Sequence, residues 1–135
     1  MMKHLIAAAL ITLPVMAFAK TLPECQVTDG VCNYQDPELG ELQLVIDPVE
    51  PAPMKPVRFI LQAKGQSGEI VSRSEGVKMF MGYTDIKFKQ SGDQYQGEGI
   101  FPKCHNKKMG WKMNVTLNHQ GEEIIWPVKF FMIQK

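Results

Sequence analysis

The chain is poor in the side chains that do most enzymatic work. It holds three histidines and three cysteines in 135 residues. There is no H-E-x-x-H helix motif, no P-loop and no serine in a nucleophile elbow. The carboxylates are scattered over predicted turns and outward faces. Cys104 and His105 are adjacent, and adjacent residues on a strand or turn point apart, whereas catalytic Cys and His meet from distant parts of a chain. His119 falls in a predicted hairpin turn, where a solvated side chain is the ordinary outcome. The expectation is a protein that is not an enzyme.

Excess charge is missing too, and so are long apolar runs beyond the first 19 residues. Without clustered positive charge along the sequence, nucleic acid and anionic membranes are not expected partners. No later segment nears the ~20 apolar residues of a membrane span. Residues 1–19, "MMKHLIAAALITLPVMAFA", have the layout of a secretory signal peptide. Lys3 and His4 form a basic start, Leu5 to Phe18 an apolar run, and Ala17-Phe18-Ala19 a cleavage site. Lys3 leaves with this leader, so the 15 basic residues fall to 14, level with the 14 acidic ones. A periplasmic or secreted chain with no membrane span after cleavage is expected, with one domain's worth of core.

Cysteine usage fits an oxidising compartment. Cys25 and Cys32 flank the turn signal Thr28-Asp29-Gly30, and a disulfide between them is the natural pairing. Two reduced thiols, or a bridge that recruits Cys104, are the alternatives. Residues 20–40 then form an N-terminal segment pinned by that bridge, and residues 41–135 a β domain.

From residue 40 onward the periodicity is that of strands. "VRFILQAKG" sets Val57, Phe59, Leu61 and Ala63 on one face. "DIKFKQ" alternates Ile86 and Phe88 against Lys87 and Lys89. "GWKMNVTLN" directs Trp111, Met113, Val115 and Leu117 inward. Pro127 in "EEIIWPVKFFMI" suggests an edge or a bulge. "GVKMFMGY", residues 76–83, reads as a further strand with Met79 and Met81 on one face. Some eight short strands with turn signals every 8–12 residues predict an antiparallel β-sandwich.

What the chain does have is sulfur. Six methionines remain after the leader: Met54, Met79, Met81, Met109, Met113 and Met132. Met113 and Met132 sit on apolar strand faces and read as core, and Met54 lies between prolines. Met79 and Met81 would project two thioethers from one strand face. Cys104 and Met109 lie in "FPKCHNKKMGW", with His105 as an extra donor. Thioether and thiolate are soft ligands that select Cu(I). Zinc does not favour thioethers and would need more Cys and His at its usual spacings. A blue-copper site would need His119 as well as His105. The competing reading makes Met79 and Met81 core residues and Cys104 an inert buried thiol.

"GVKMFMGY" followed by "GDQYQGEGIFPKCHNKKMGWKMNVTL" resembles the periplasmic immunoglobulin-like domains of the FixH and YtkA-like group. It is especially similar to small exported proteins that occur with Sco-type copper chaperones. The carrying pattern is Met79-Phe80-Met81-Gly82, then Tyr95 and Gly97, then Cys104, then Met109-Gly110-Trp111-Lys112-Met113. The resemblance implies an all-β, immunoglobulin-like sandwich of about seven to eight strands. It also implies copper handling linked to haem-copper oxidase maturation or copper homeostasis, with a Sco-type chaperone or an oxidase subunit as partner. The resulting expectation is a Cu(I) carrier or chaperone with Met79, Met81, Cys104, Met109 and His105 as candidate ligands. A metal-free envelope interaction module is the alternative, and thiol exchange between Cys104 and the other cysteines a third.

Overall fold

Alternation of apolar and polar residues dominates the architecture. The structure, a computed structural model, describes residues 19–66 and 68–134. The leader assigned to 1–19 lies outside them except for Ala19. Among the described residues there are ten strands and no helix. They are β1 (Lys20–Thr21), β2 (Cys25–Gln26), β3 (Val31–Asp36), β4 (Gly40–Asp47) and β5 (Pro56–Ala63), then β6 (Ile70–Gly76), β7 (Thr84–Ser91), β8 (Gln94–Ile100), β9 (Lys108–His119) and β10 (Glu122–Ile133). Among the described residues, no helix is long and apolar enough to cross a membrane.

The inward residues are those that the period of two selects. Val57, Phe59, Leu61 and Ala63 of β5 are buried, as are Ile86 and Phe88 of β7 and Trp111, Met113, Val115 and Leu117 of β9. Each of the larger aliphatic and phenyl side chains among them contributes about 1.5–3 kcal/mol by leaving water. An aromatic knot binds the two faces. Phe101 packs edge-on against Phe59, Trp111 and Phe130, with ring centroids 6.0, 5.1 and 5.5 Å away.

The strands form one hydrogen-bonded path, β1-β10-β9-β6-β7-β8-β5-β4-β3, with β2 also on β10. The path curls into a half-barrel. β7 is its joint: residues 84–88 pair with β6, whereas Lys89, Gln90 and Ser91 pair with β8. The glycines of β8 permit the bend. A Cβ on Gly97 would stand 2.5 Å from Ile86 Cγ2, and one on Gly99 2.7 Å from Ile86 Cδ1. Ile86 and Phe88 therefore pack directly on the β8 backbone.

Three features depart from the sequence expectations. First, there are ten strands instead of about eight, because residues 20–36 supply β1, β2 and β3. β1 and β2 run parallel to β10, whereas all other neighbours are antiparallel. Second, Pro127 lies inside β10, between the residues that pair with β1 and those that pair with β2. Leu22, Pro23 and Glu24 span the same interval as Trp126 and Pro127, so the bulge is on the partner segment. Proline has no N–H to offer a ladder, which suits an interruption there. Third, Met79 and Met81 are not on a strand. β6 ends at Gly76 and β7 begins at Thr84, and residues 77–83 form a loop.

Cys25 and Cys32 are disulfide-bonded, and Cys104 is the free thiol. The bridge spans only seven positions of sequence. It nevertheless joins β2, which is held by β10, to β3, the far end of the strand path. It therefore ties the two margins of the curled sheet together. A second tie lies alongside, where Lys20 Nζ of β1 donates to the Asp36 carboxylate of β3 at 3.3 Å. A disulfide is compatible with an oxidising compartment such as the periplasm or the exterior.

Candidate functional site

The antiparallel order brings three long loops to one end of the half-barrel. They are residues 48–55, 77–83 and 101–107, joined there by the end of β10. Each sulfur of interest lies on one of these loops or at a strand end beside them.

The 101–107 loop is fastened at both ends. Phe101 is fully buried in the aromatic knot, and its carbonyl accepts a 2.8 Å hydrogen bond from the Met54 amide. The Gln134 amide donates to the Lys107 carbonyl at 2.7 Å. The Gln134 side-chain amide lies against the Cys104 carbonyl and, with its nitrogen turned to that side, donates to it. Cys104 is thus held with its thiol turned inward, 7% exposed.

The 77–83 loop begins with one further ladder bond, from the Val77 amide to the Gly110 carbonyl at 3.0 Å. It then folds back over the end of β6. Gly76 is the enabling residue. A Cβ there would overlap the Met79 carbonyl oxygen and come within 2.6 Å of Met109 Cε. The outgoing leg is steadied by a stack. Phe80 meets Tyr83 edge-on at 5.3 Å, and the Arg73 guanidinium covers the Tyr83 ring at 4.6 Å. Arg73 is itself fixed by two bonds to Asp85, at 2.8 and 3.0 Å. This pairing raises the Arg73 pKa and holds the Asp85 carboxyl below its usual range.

Folded back in this way, the loop sets Met79 Sδ 3.5 Å from Cys104 Sγ. Two sulfurs each about 2.3 Å from one ion, at a near-tetrahedral angle, stand about 3.8 Å apart. The observed separation needs to change by only a few tenths of an ångström. Met79 is 40% exposed, so the pair lies at the surface edge of the core.

Met109 is buried nearby, its Cε crowding the same side of Gly76 as the Met79 carbonyl. With Cys104, Trp111 and Met132 it lines a small crevice closed by Pro53, Pro102, Asn106 and Gln134. Met109 and Met132 are paired residues on β9 and β10. Met132 therefore adds a thioether that the sequence marked only as core. Met81 is half-buried and packs against the core. His105 is exposed on the outer side of the loop. His119 sits at the other end of β9, where its Nδ1 lies 3.4 Å from the Gln66 amide nitrogen. The intervening 12-residue strand spans roughly 35–40 Å at its rise per residue. His105 and His119 cannot share an ion, so the blue-copper arrangement is not available.

Among the described residues, no group of three or more His, Cys, Asp or Glu side chains is placed to hold a metal ion. The soft side chains that meet here are the Cys104 thiol and the Met79 thioether, with Met109 and Met132 lining the crevice beside Cys104. Thioethers are neutral and bind without losing a proton, whereas the thiol must give one up.

No protein-family model, curated protein or solved structure matches this chain.

Proposed function

We propose that this protein is a carrier of one soft monovalent cation, Cu(I), bound by Cys104, Met79 and Met109. Met132 and Met81 complete the sulfur environment, and His105 lies at the rim. The 3.5 Å approach of Cys104 Sγ to Met79 Sδ carries the reading. The two residues come from different loops, and their meeting depends on a glycine that admits the Met79 carbonyl. A lone buried thiol packed in a core would not need the loop to fold back over it. Soft donors match Cu(I) in preference to zinc or magnesium. The partial exposure of Met79 gives a route by which ligands are exchanged one at a time with an acceptor.

The setting belongs to the same proposal. An exported, periplasmic carrier in an immunoglobulin-like sandwich, serving a Sco-type chaperone or an oxidase subunit, is what the resemblance of residues 76–117 implies. The disulfide and the all-β fold are compatible with it.

The test is an anaerobic Cu(I) titration of the leaderless protein against a competing chromophoric chelator. The wild type should retain copper that a Met79→Ala/Met81→Ala/Cys104→Ala variant surrenders. Equal retention by both would sink the proposal. A second reading, a metal-free interaction module, is favoured by the exposure of Phe80 and Tyr83 on the same loop, at 66% and 55%. It predicts partner capture that is indifferent to the triple substitution.

A further inference from the structure

The charge that is balanced along the sequence is separated in space. From Gly99 to Gly121 there is no Asp or Glu, and the same holds from residue 76 to residue 84. The loops of the sulfur-bearing end instead carry Lys55, Lys78, Lys103, Lys107 and Lys108, all exposed. The acids nearest to them are few. Asp85 is engaged by Arg73, Glu75 lies opposite Lys112 in the sheet, Asp47 and Asp29 lie on the β3–β5 side, and Glu50, on the 48–55 loop, shares a hollow with Lys55 and Lys103.

The opposite end of the half-barrel has the reverse character. Glu38, Glu41, Glu69, Asp93, Glu122 and Glu123 lie in or beside its turns, against Lys20, Lys64, Lys89 and Lys87, whose Nζ is 3.7 Å from Glu69. The strand order puts every one of these turns at the far end from Cys104. The molecule therefore has an excess of positive charge at the end that holds the thiol and of negative charge at the other. Such a field orients a charged partner during encounter and speeds association.

We propose that the lysine-rimmed end is a docking face for an acidic protein surface, with Val77, Phe80 and Tyr83 as its apolar centre. These three are exposed on the loop that carries Lys78. An apolar centre within a charged rim is the usual anatomy of a transient protein contact. The proposal deepens the carrier reading by naming the receiving partner's chemistry. It rests on that reading for what the contact accomplishes, but the contact itself needs no metal. A lipid surface satisfies the charge but offers no soft donor to take the ion. A protein offers both.

The experiment uses the metal-free, leaderless protein and a synthetic peptide of alternating glutamate and leucine, with a lysine–leucine peptide as control. Backbone amide shifts in two-dimensional NMR report the contact. The acidic peptide should shift residues 77–84 and 101–109 and leave residues 36–41, 91–94 and 119–123 unmoved. The shifts should vanish between about 20 and 500 mM salt, as the screening length falls from about 20 to 4 Å. A Lys55→Glu/Lys78→Glu/Lys107→Glu variant, altered only at exposed positions, should bind the peptide about tenfold or more weakly. It should keep its Cu(I) retention, which separates failure of the docking face from failure of the metal site.

Shifts at the acidic end, or equal binding of both peptides, overturn the proposal. So does stronger sedimentation with phosphatidylglycerol vesicles than with the acidic peptide on a carrier bead, which assigns the face to membrane. Concentration-dependent mass at low salt, with no peptide present, assigns it to the acidic end of a second copy and overturns it as well.

Discussion

Cys104 Sγ and Met79 Sδ lie 3.5 Å apart although 25 positions separate them in the chain. Cys104 is a buried residue, and Met79 is 40% exposed. The contact therefore spans the boundary between core and solvent, where an ion can be both shielded and surrendered. Its consequences are open to measurement.

Replacing the thiol separates ligation from packing. Cys104→Ser keeps the size of the side chain and removes the soft anion. Cu(I) affinity should fall by roughly ten- to a hundredfold, about 1.4–2.8 kcal/mol. The chemical-denaturation midpoint should move little. Competition with a chromophoric chelator reads the first quantity and urea unfolding the second. Unchanged copper affinity would assign Cys104 to the core alone.

Gly76→Ala tests the fold-back of the 77–83 loop. The new methyl group would occupy the space of the Met79 carbonyl and crowd Met109 Cε. Overpacking of this kind costs about 1–3 kcal/mol. Copper affinity should fall in parallel, because relief comes by moving Met79 away from Cys104. A variant with lowered stability and intact copper affinity would show that Met79 is not a ligand.

Cys25→Ser/Cys32→Ser should lower stability by about 2–3 kcal/mol, the loop-closure expectation for a bridge this short. Urea unfolding with and without reductant gives the value. Copper affinity should be retained, because the bridge lies outside the sulfur cluster. Parallel loss of copper would implicate these cysteines in exchange with Cys104.

Asp36 should make the acid limb of stability steep. The backbone amides of Leu39 and Glu38, 3.0 and 2.8 Å from its Oδ1, hold its carboxyl below the usual range, with Lys20 adding to the effect. A group whose folded pKa is depressed contributes stability above its unfolded value, near 4, and loses it as pH falls through the folded one. Asp36→Asn should therefore be less stable than wild type at pH 7, with the difference closing at acid pH. Thermal melts across that range test it. A constant difference between the two proteins at all pH values would remove Asp36 from the account.

Much of the sheet was legible in the sequence. The inward residues of β5, β7 and β9 follow from strict alternation, which only a half-buried strand rewards. Other parts were set by tertiary relations. β1 and β2 are two residues long, too short to show a period, and depend on β10 for their existence. "VKMFMG" alternates like a strand, but the close approach at Gly76 turns it into a loop. Ladder pairing ends there, one bond beyond β6. Met79 and Cys104 were visible as a pair of soft side chains, because M-x-M and Cys-x4-Met are unusual together. Met132 was not, since a methionine on an apolar strand face reads as filler until its pairing with Met109 is known. The charge separation was equally hidden, because each lysine of the rim is alone or doubled in sequence and only the turns gather them.

The parallel seating of β1 and β2 on β10 fixes an order of assembly. Lys20 and Thr21 find their partners at Ile124 and Ile125. Lys20, Thr21, Cys25 and Gln26 have no strand partner until β10 is in place. Contacts this remote in the chain are made late and slowly. A polypeptide cut short before residue 122 would leave both its earliest strands and one end of its covalent tie without a seat.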